Sequence, residues 1–174
     1  KCPALTYIEF GEQFSQPLAN SLNNCTSLIY IKFGSNFNHP LGNSFRNLTS
    51  LTNLYFGSNF NQSLVNPTNN LTLLFLQLSH SSCCEDFDHM LSNCLDNCTL
   101  LTNLTFGYYF NCPLHNSLSN LTSLTNLTFG HMFDYPLCNA LDNCKFLTNL
   151  TFGYRFNCPL RDSLDNCSSL THIN

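Results

Sequence analysis

The sequence predicts an α/β repeat solenoid of seven units of about 23 residues, each a strand, a turn and a short α or 3₁₀ helix. Three observations indicate this class. The segment LTNLTFG recurs from Leu101, Leu124 and Leu147, a Phe follows at a fixed place in every unit, and an Asn stands near the end of each unit. One unit is too small to bury its own apolar side chains, so neighbours must stack and pair their strands in one parallel sheet.

Composition excludes several function classes. The 174-residue chain has a formal charge of −4 and only six Lys plus Arg, which form no basic stripe, so we expect no nucleic-acid partner. No apolar run reaches the roughly 18 residues of a membrane span, so we expect no membrane association. The sequence contains no phosphate-binding Gly-rich loop, GxSxG or HExxH motif, and we therefore predict neither enzymatic activity nor a cofactor.

Each repeat opens with a predicted strand. Apolar residues at its first, fourth and sixth places, followed by Gly in six of seven repeats, indicate a short strand with one buried face and a turn that needs positive φ or close backbone approach. Partial repeats at both ends lead us to interpret residues 1–174 as a single array within a longer protein. The full repeats begin at Leu5, Leu28, Leu51, Leu73, Leu101, Leu124 and Leu147.

A Phe occupies the tenth place of every repeat, once the insertion in the fourth is left out, and should form an aromatic spine at the strand spacing of about 4.8 Å. These residues are Phe14, Phe37, Phe60, Phe87, Phe110, Phe133 and Phe156. An Asn, Asp or Ser follows each Phe, usually with Pro two residues later, which is a helix-start signal. The spacing of Leu114, Leu118 and Leu121 then predicts two helical turns. The alternative is a β-solenoid in which this segment is extended and has no helical turn.

Two columns of Asn recur at fixed places, and we expect ladders that satisfy the backbone groups of successive loops. One column is Asn24, Asn47, Asn70, Asn97, Asn120, Asn143 and Asn166; the other is Asn20, Asn43, Asn66, Asn93, Asn116 and Asn139, ending in Asp162.

The cysteines follow the repeat. Five of the eleven share a slot that Leu fills in other repeats, which is typical of buried free thiols, and we predict reduced cysteines and an intracellular protein. These five are Cys2, Cys25, Cys98, Cys144 and Cys167. Cys144 and Cys167 lie on neighbouring repeats, so a disulfide between them stays open at this point, as does the redox state of Cys83 and Cys84.

The fourth repeat carries an insertion near residues 79–86. His80, Cys83, Cys84 and His89 could bind zinc, but they lack a CxxC pair. We therefore favour a variable surface loop and predict no metal site.

The segment FNxPL after LTxLxFG, as in Phe37–Leu41, Phe110–Leu114 and Phe156–Leu160, resembles the FNIP repeat. This is a divergent leucine-rich-repeat family of social amoebae and giant viruses, often joined to an F-box. The resemblance implies a right-handed, leucine-rich-repeat-like superhelix with its parallel sheet on the concave face. It further implies a scaffold for protein–protein interaction, including the substrate-recognition arm of an F-box-type ubiquitin ligase, in the host cytoplasm or a virion.

Outward strand positions are aromatic or charged only in the first half of the array, and such residues are enriched at binding surfaces. We predict that a protein partner of unknown identity contacts Tyr7, Tyr30, Lys32, Tyr55 and Phe75, and a second aromatic edge formed by Tyr108, Tyr109, His131, Tyr154 and Arg155. The alternatives are positions merely tolerated in a degenerate array, or a structural component of a giant-virus particle or fibre that self-assembles through a low-charge surface.

Overall fold

The protein is a parallel β-solenoid in the computed structural model, which describes residues 2–60, 62, 95 and 98–174, together with the backbone of 75–78. Within these residues eight strands form one sheet in chain order, and every neighbouring pair is parallel. The strands are β1 (Tyr7–Glu9), β2 (Tyr30–Lys32), β3 (Asn53–Tyr55), β4 (Phe75–Leu78), β5 (Asn103–Phe106), β6 (Asn126–Thr128), β7 (Asn149–Thr151) and β8 (His172–Ile173). The predicted repeat solenoid with one parallel sheet is confirmed.

In β2, β3, β6 and β7 one buried apolar side chain anchors a strand of three residues. The central residues Ile31, Leu54, Leu127 and Leu150 are buried, whereas the residues on either side are half-buried. The register pairs each residue with the one in the equivalent place of the next repeat, for example Ile8 with Ile31. Each repeat is therefore one rung of the solenoid, and equivalent residues form columns that run across the strands.

The core contains two columns of stacked Phe rings. The predicted spine is confirmed in the described rungs, where ring centroids lie 5.7 Å apart for Phe110 and Phe133 and 5.9 Å apart for Phe133 and Phe156. A second column at the strand ends stacks in parallel, and Phe129 lies only 4.0 Å from Phe133 of its own rung. The rings are therefore near-parallel both between rungs and within a rung, and this fixes the orientation of each described rung against the next.

The predicted helical turns are reduced to a succession of tight turns. Backbone N–H groups donate to the carbonyl three residues earlier, as in Ser117 to Leu114 and Leu121 to Leu118. Among the described residues only Gly42–Phe45 qualifies as a 3₁₀ helix. The FNxPL segments before these turns have no helical assignment, which agrees with the extended alternative for that segment.

In the described rungs the residue after the spine Phe does not cap a helix of its own rung. Instead, the Asp134 N–H donates to Asn111 Oδ1 of the preceding rung (2.8 Å), and the Asn157 N–H donates to Asp134 Oδ1 (2.8 Å). The helix-cap interpretation is wrong because the side chain satisfies an N–H on the neighbouring rung.

The two predicted Asn columns differ. In the first, Asn47 Nδ2 donates to the Asn23 carbonyl (3.1 Å) and Asn143 Nδ2 donates to the Ser119 carbonyl (2.9 Å), so these amides link rungs as predicted. In the second, the described residues are exposed, and Asn20 Oδ1 accepts from Asn23 of the same rung.

The Gly that follows β2, β3, β6 or β7 serves close backbone approach. A Cβ added at Gly130 or Gly153 would lie far inside van der Waals contact of the Gly carbonyl on the preceding rung. Positive φ occurs elsewhere, at the residue after the FNxPL Leu, and only one of these five residues is Gly. They are Ala19 (φ 47°), Gly42 (53°), His115 (44°), Cys138 (47°) and Arg161 (47°).

None of the eight described cysteines is in a disulfide. The Cys144 thiol donates weakly to the Leu118 and Leu121 carbonyls, both at 3.9 Å, and burial raises the pKa of Cys144 to about 12. The thiol of Cys167 likewise donates to the Leu141 carbonyl (3.8 Å), so no disulfide joins this pair. Cys2 is exposed, contrary to the buried slot predicted, because no described rung covers it.

Gly130→Ala should lower the free energy of unfolding by about 2 kcal/mol or more, because the added methyl group collides with backbone that cannot move without breaking the rung spacing. Gly11→Ala is the control in the same column. A Cβ there meets nothing within 4 Å, so stability should stay the same or rise by up to about 1 kcal/mol. Urea denaturation measures both values, and equal losses would refute close approach as the reason for this Gly.

Cys144→Leu should change stability at neutral pH by less than about 1.5 kcal/mol, because Leu48 and Leu121 fill the same buried slot. The folded thiol has a raised pKa, so its contribution to stability is complete below the ordinary pKa of 9.0 and is lost as pH rises towards about 12. Urea denaturation at a series of alkaline pH values should show a smaller loss for Cys144→Leu than for the wild type. Leu121→Cys should show a larger one.

Candidate functional site

Three tyrosines stack on the outward surface of β1–β3. The ring centroids of Tyr7 and Tyr30 lie 4.5 Å apart with an interplanar angle of 12°, and those of Tyr30 and Tyr55 lie 5.0 Å apart at 37°. The register pairs Tyr7 with Tyr30 and Lys32 with Tyr55, so Tyr55 meets Tyr30 diagonally. Tyr7 is 51% exposed, whereas Tyr30 and Tyr55 are half-buried. Three of the predicted partner residues thus form one continuous aromatic surface.

A short charged network holds this surface. Lys32 Nζ donates to Glu9 Oε1 (2.5 Å) and Tyr7 Oη donates to Glu9 Oε2 (2.7 Å). The hydrogen bond to Glu9 is the main reason that the pKa of Tyr7 rises to about 12, and the hydrogen bonds from Lys32 and then Tyr7 lower the pKa of Glu9. The groups are exposed, so the ion pair adds little stability. Its effect is to orient Tyr7 and Lys32.

We call Tyr7, Glu9, Tyr30, Lys32 and Tyr55 the sheet patch. Phe75, also predicted as a partner residue, lies on β4 in register between Asn53 and Asn103. A cleft of 260 Å³ adjoins the patch at the strand ends; Lys32, Tyr55, Glu12, Ser35 and Ser58 contribute to its lining. The sequence-based prediction omitted Glu9, although an opposite charge one repeat away from Lys32 was the available signal.

The second half of the sheet surface is a closed hydrogen-bond network. Asn126 Nδ2 donates to Asn103 Oδ1 (2.7 Å) and to Thr125 Oγ1 (2.9 Å), and its own Oδ1 accepts from Asn149 (2.7 Å). The Thr125 and Thr148 hydroxyls each donate to the Thr carbonyl of the preceding rung at 3.0 Å. Both amide hydrogens of Asn126 are therefore used within the sheet.

The predicted second edge follows the strands of the last three full rungs. The Tyr108 and His131 rings are 4.7 Å apart with an interplanar angle of 4°, and those of His131 and Tyr154 are 5.2 Å apart at 13°. Tyr109 meets Tyr108 edge-on at 4.8 Å. Arg155 is exposed beside this stack. The sheet patch and this edge occupy different columns and different rungs, so the structure brings the predicted residues together as two surfaces.

The described residues contain neither a cluster of metal ligands nor a membrane-spanning helix. Among the described residues no three His, Cys, Asp or Glu side chains are grouped so that they could hold a metal ion, and the insertion with His80, Cys83, Cys84 and His89 lies outside those residues. The described part of the chain contains no helix with the length and hydropathy that a bilayer crossing requires.

Stacked short repeats, one parallel sheet and leucine-lined rungs define a leucine-rich-repeat solenoid, a class whose members are protein-interaction scaffolds. The chain belongs to the BspA type Leucine rich repeat region family, whose six copies match residues 1–85 and 75–174. No significant match exists among curated proteins.

Solved leucine-rich-repeat structures share the fold. Internalin C2 from Listeria monocytogenes superposes with a TM-score of 0.66 at 15% identity, over 99% of this chain and 74% of its own. The internalin inlF of the same organism gives 0.56 at 18% identity, over 99% of this chain and 61% of its own. CroV588, described as a circular leucine-rich-repeat protein, gives 0.52 at 26% identity, over 98% of this chain and 33% of its own. The chain is thus shorter than each of these proteins.

Glu9→Gln should return the ionisation of one tyrosine from about pH 12 towards its ordinary pKa of 10.0, because the carboxylate that accepts from Tyr7 is the largest cause of the shift. Ultraviolet absorbance of tyrosinate against pH measures this change. Glu12→Gln is the matched control, since Glu12 accepts from the Ser35 N–H and should leave the tyrosine titration unchanged. Equal titration curves for the wild type and Glu9→Gln would contradict the assigned hydrogen bond.

Proposed function

We propose that the chain binds a protein partner through the sheet patch. One observation carries the proposal: the same outward columns of one sheet hold stacked tyrosines and an ion pair on β1–β3, but a self-bonded Asn and Thr ladder on β5–β7. A ladder that uses its own donors offers few of them to a partner. The sheet patch presents aromatic area and charged groups that a partner can desolvate.

The physical state of the patch supports binding. Tyr30 is held by rings on both sides, at 4.5 and 5.0 Å, so little rotamer entropy is lost when a partner covers it. Tyrosine combines apolar area with a hydrogen-bonding hydroxyl and is enriched among residues that dominate binding energy. The adjoining cleft gives a partner side chain a concave place to enter.

The finer features of the proposal rest on resemblance and chemistry. The FNxPL motif supports an FNIP-type protein and hence the substrate-recognition arm of an F-box-type ubiquitin ligase. Three buried cysteines that form no disulfide support an intracellular location: Cys25, Cys144 and Cys167. A full-length coding sequence with an F-box, and co-purification with the ligase adaptor, would be the expected results.

Tyr30→Ala should weaken partner binding at least about tenfold, because it removes the central ring of the stack. The probe is a set of peptides selected from a random display library on the immobilised wild-type chain, with affinities then measured by fluorescence anisotropy. Thr105→Ala, at an outward position of β5, should change affinity less than about twofold.

Circular dichroism must show that both variants remain folded. The proposal fails if the selected peptides bind Tyr30→Ala as well as the wild type, or if Thr105→Ala weakens them more.

A further inference from the structure

The residues that follow the last three described Gly of the strand ends form a separate surface, which we call the loop ridge. It consists of Tyr108, Tyr109, His131, Met132, Tyr154 and Arg155. Its rings are unusually accessible: Tyr108 is 54% exposed, Tyr109 is 51% exposed and Tyr154 is 86% exposed. Single exposed aromatics are common, but here they are contiguous across three rungs and stacked on one another.

The backbone under the ridge is fixed. The Met132 N–H donates to the Tyr108 carbonyl (3.0 Å), and the Arg155 N–H donates to the His131 carbonyl (3.1 Å). Gly130 and Gly153, directly before the ridge residues, are in close contact with the preceding rung. A partner therefore meets a preorganised row of ring edges, and the conformational entropy lost on binding is small.

The two columns that form the ridge are polar in the first three rungs. The column of Tyr108 and Tyr154 there holds Glu12, Ser35 and Ser58, and the column of Tyr109 and Arg155 holds Gln13, Asn36 and Asn59. Asn36 Nδ2 donates to Gln13 Oε1 (2.8 Å) and Asn59 Nδ2 donates to Asn36 Oδ1 (3.3 Å), so these amides are bonded to one another. The change to aromatic residues in the later rungs replaces that ladder with a surface whose side chains stack but do not saturate hydrogen bonds.

Charge distinguishes the ridge from the rest of the chain. The protein has a net charge of −4, yet none of the six ridge residues is acidic and one is Arg. Within the described residues the ion pair is Lys32 with Glu9, and Arg155 has no carboxylate within salt-bridge distance. The ridge thus carries one positive charge beside exposed rings, and a carboxylate is the group complementary to that charge.

We propose that the loop ridge is a second docking site, for an acidic segment of a protein partner that places an aromatic or aliphatic side chain on the tyrosines and a carboxylate on Arg155. A guanidinium binds a carboxylate through paired hydrogen bonds, and exposed tyrosine edges accept apolar side chains. Single-stranded nucleic acid would also stack on tyrosines, but its phosphates require several cations, and the ridge supplies one Arg.

The test uses a fluorescein-labelled 12-residue peptide with one Glu beside one Trp and otherwise neutral residues, titrated into the 174-residue chain at low salt. Its control replaces the Glu with Gln. Arg155→Gln should weaken binding of the acidic peptide about fivefold or more and leave the neutral peptide unchanged. Tyr154→Ala should weaken both peptides, because it removes the most exposed ring.

Three further measurements complete the test. Asn59→Ala, in the column of Arg155 but on the third rung, should have no effect on the acidic peptide. Tyr30→Ala should also have none, so failure of the ridge and failure of the sheet patch are separately visible. The proposal is overturned if the acidic peptide does not bind at about 1 mM, if the neutral peptide binds as tightly, or if a 12-nucleotide oligothymidine binds more tightly than the acidic peptide.

Discussion

Parallel pairing of short strands one repeat apart is the constraint on which the rest of the structure depends. Residues in equivalent places must stack at the strand spacing of about 4.8 Å, whatever their chemistry. That spacing suits aromatic rings, which stack in two core columns, and primary amides, which donate to one another along the sheet. It leaves no room for a Cβ where successive Gly residues meet. The residues that recur in the repeat are therefore those whose side chains pack well against the same residue type on the neighbouring rung.

The side chains of a column either hydrogen-bond to one another or leave polar groups and apolar surface that a partner can contact. The Asn103, Asn126 and Asn149 amides satisfy one another, as do Gln13, Asn36 and Asn59 at the loop edge. Tyrosine behaves differently, because its rings can stack on the next rung while their edges still face solvent. The outward columns of the sheet and the columns at the loop edge change type in opposite directions along the chain. On the sheet, aromatic residues in the first rungs give way to amides in the later ones. At the loop edge, amides in the first rungs give way to aromatic residues. The surfaces with unused binding capacity thus lie diagonally across the molecule.

Much of the fold could be predicted from the sequence because the same pattern of apolar, Gly and Asn residues recurs in seven repeats. The strand positions, the Phe spine and the buried cysteine slot all follow from residues that recur at one phase. The helical turns could not be predicted correctly, since apolar spacing of three to four residues fits both a helix and a run of tight turns in the space between two rungs. The positive φ at Ala19, His115, Cys138 and Arg161 leaves no signal, because only Gly42 shows the expected residue type.

For the candidate surfaces, the sequence identified the aromatic residues but not what separates binding positions from structural ones. Asn103 and Tyr30 are both half-buried on the outward side of the same sheet, so exposure alone does not distinguish them. The difference lies in what the side chains contact one period away: the Asn103 amide accepts from Asn126 in the amide ladder, whereas the Tyr30 ring stacks between Tyr7 and Tyr55. In a solenoid of this kind, function is best sought where a column breaks its own pattern, because a break replaces contacts between rungs by groups that face solvent and can contact a partner. Arg155 after Met132 and Tyr109 is a break of that kind.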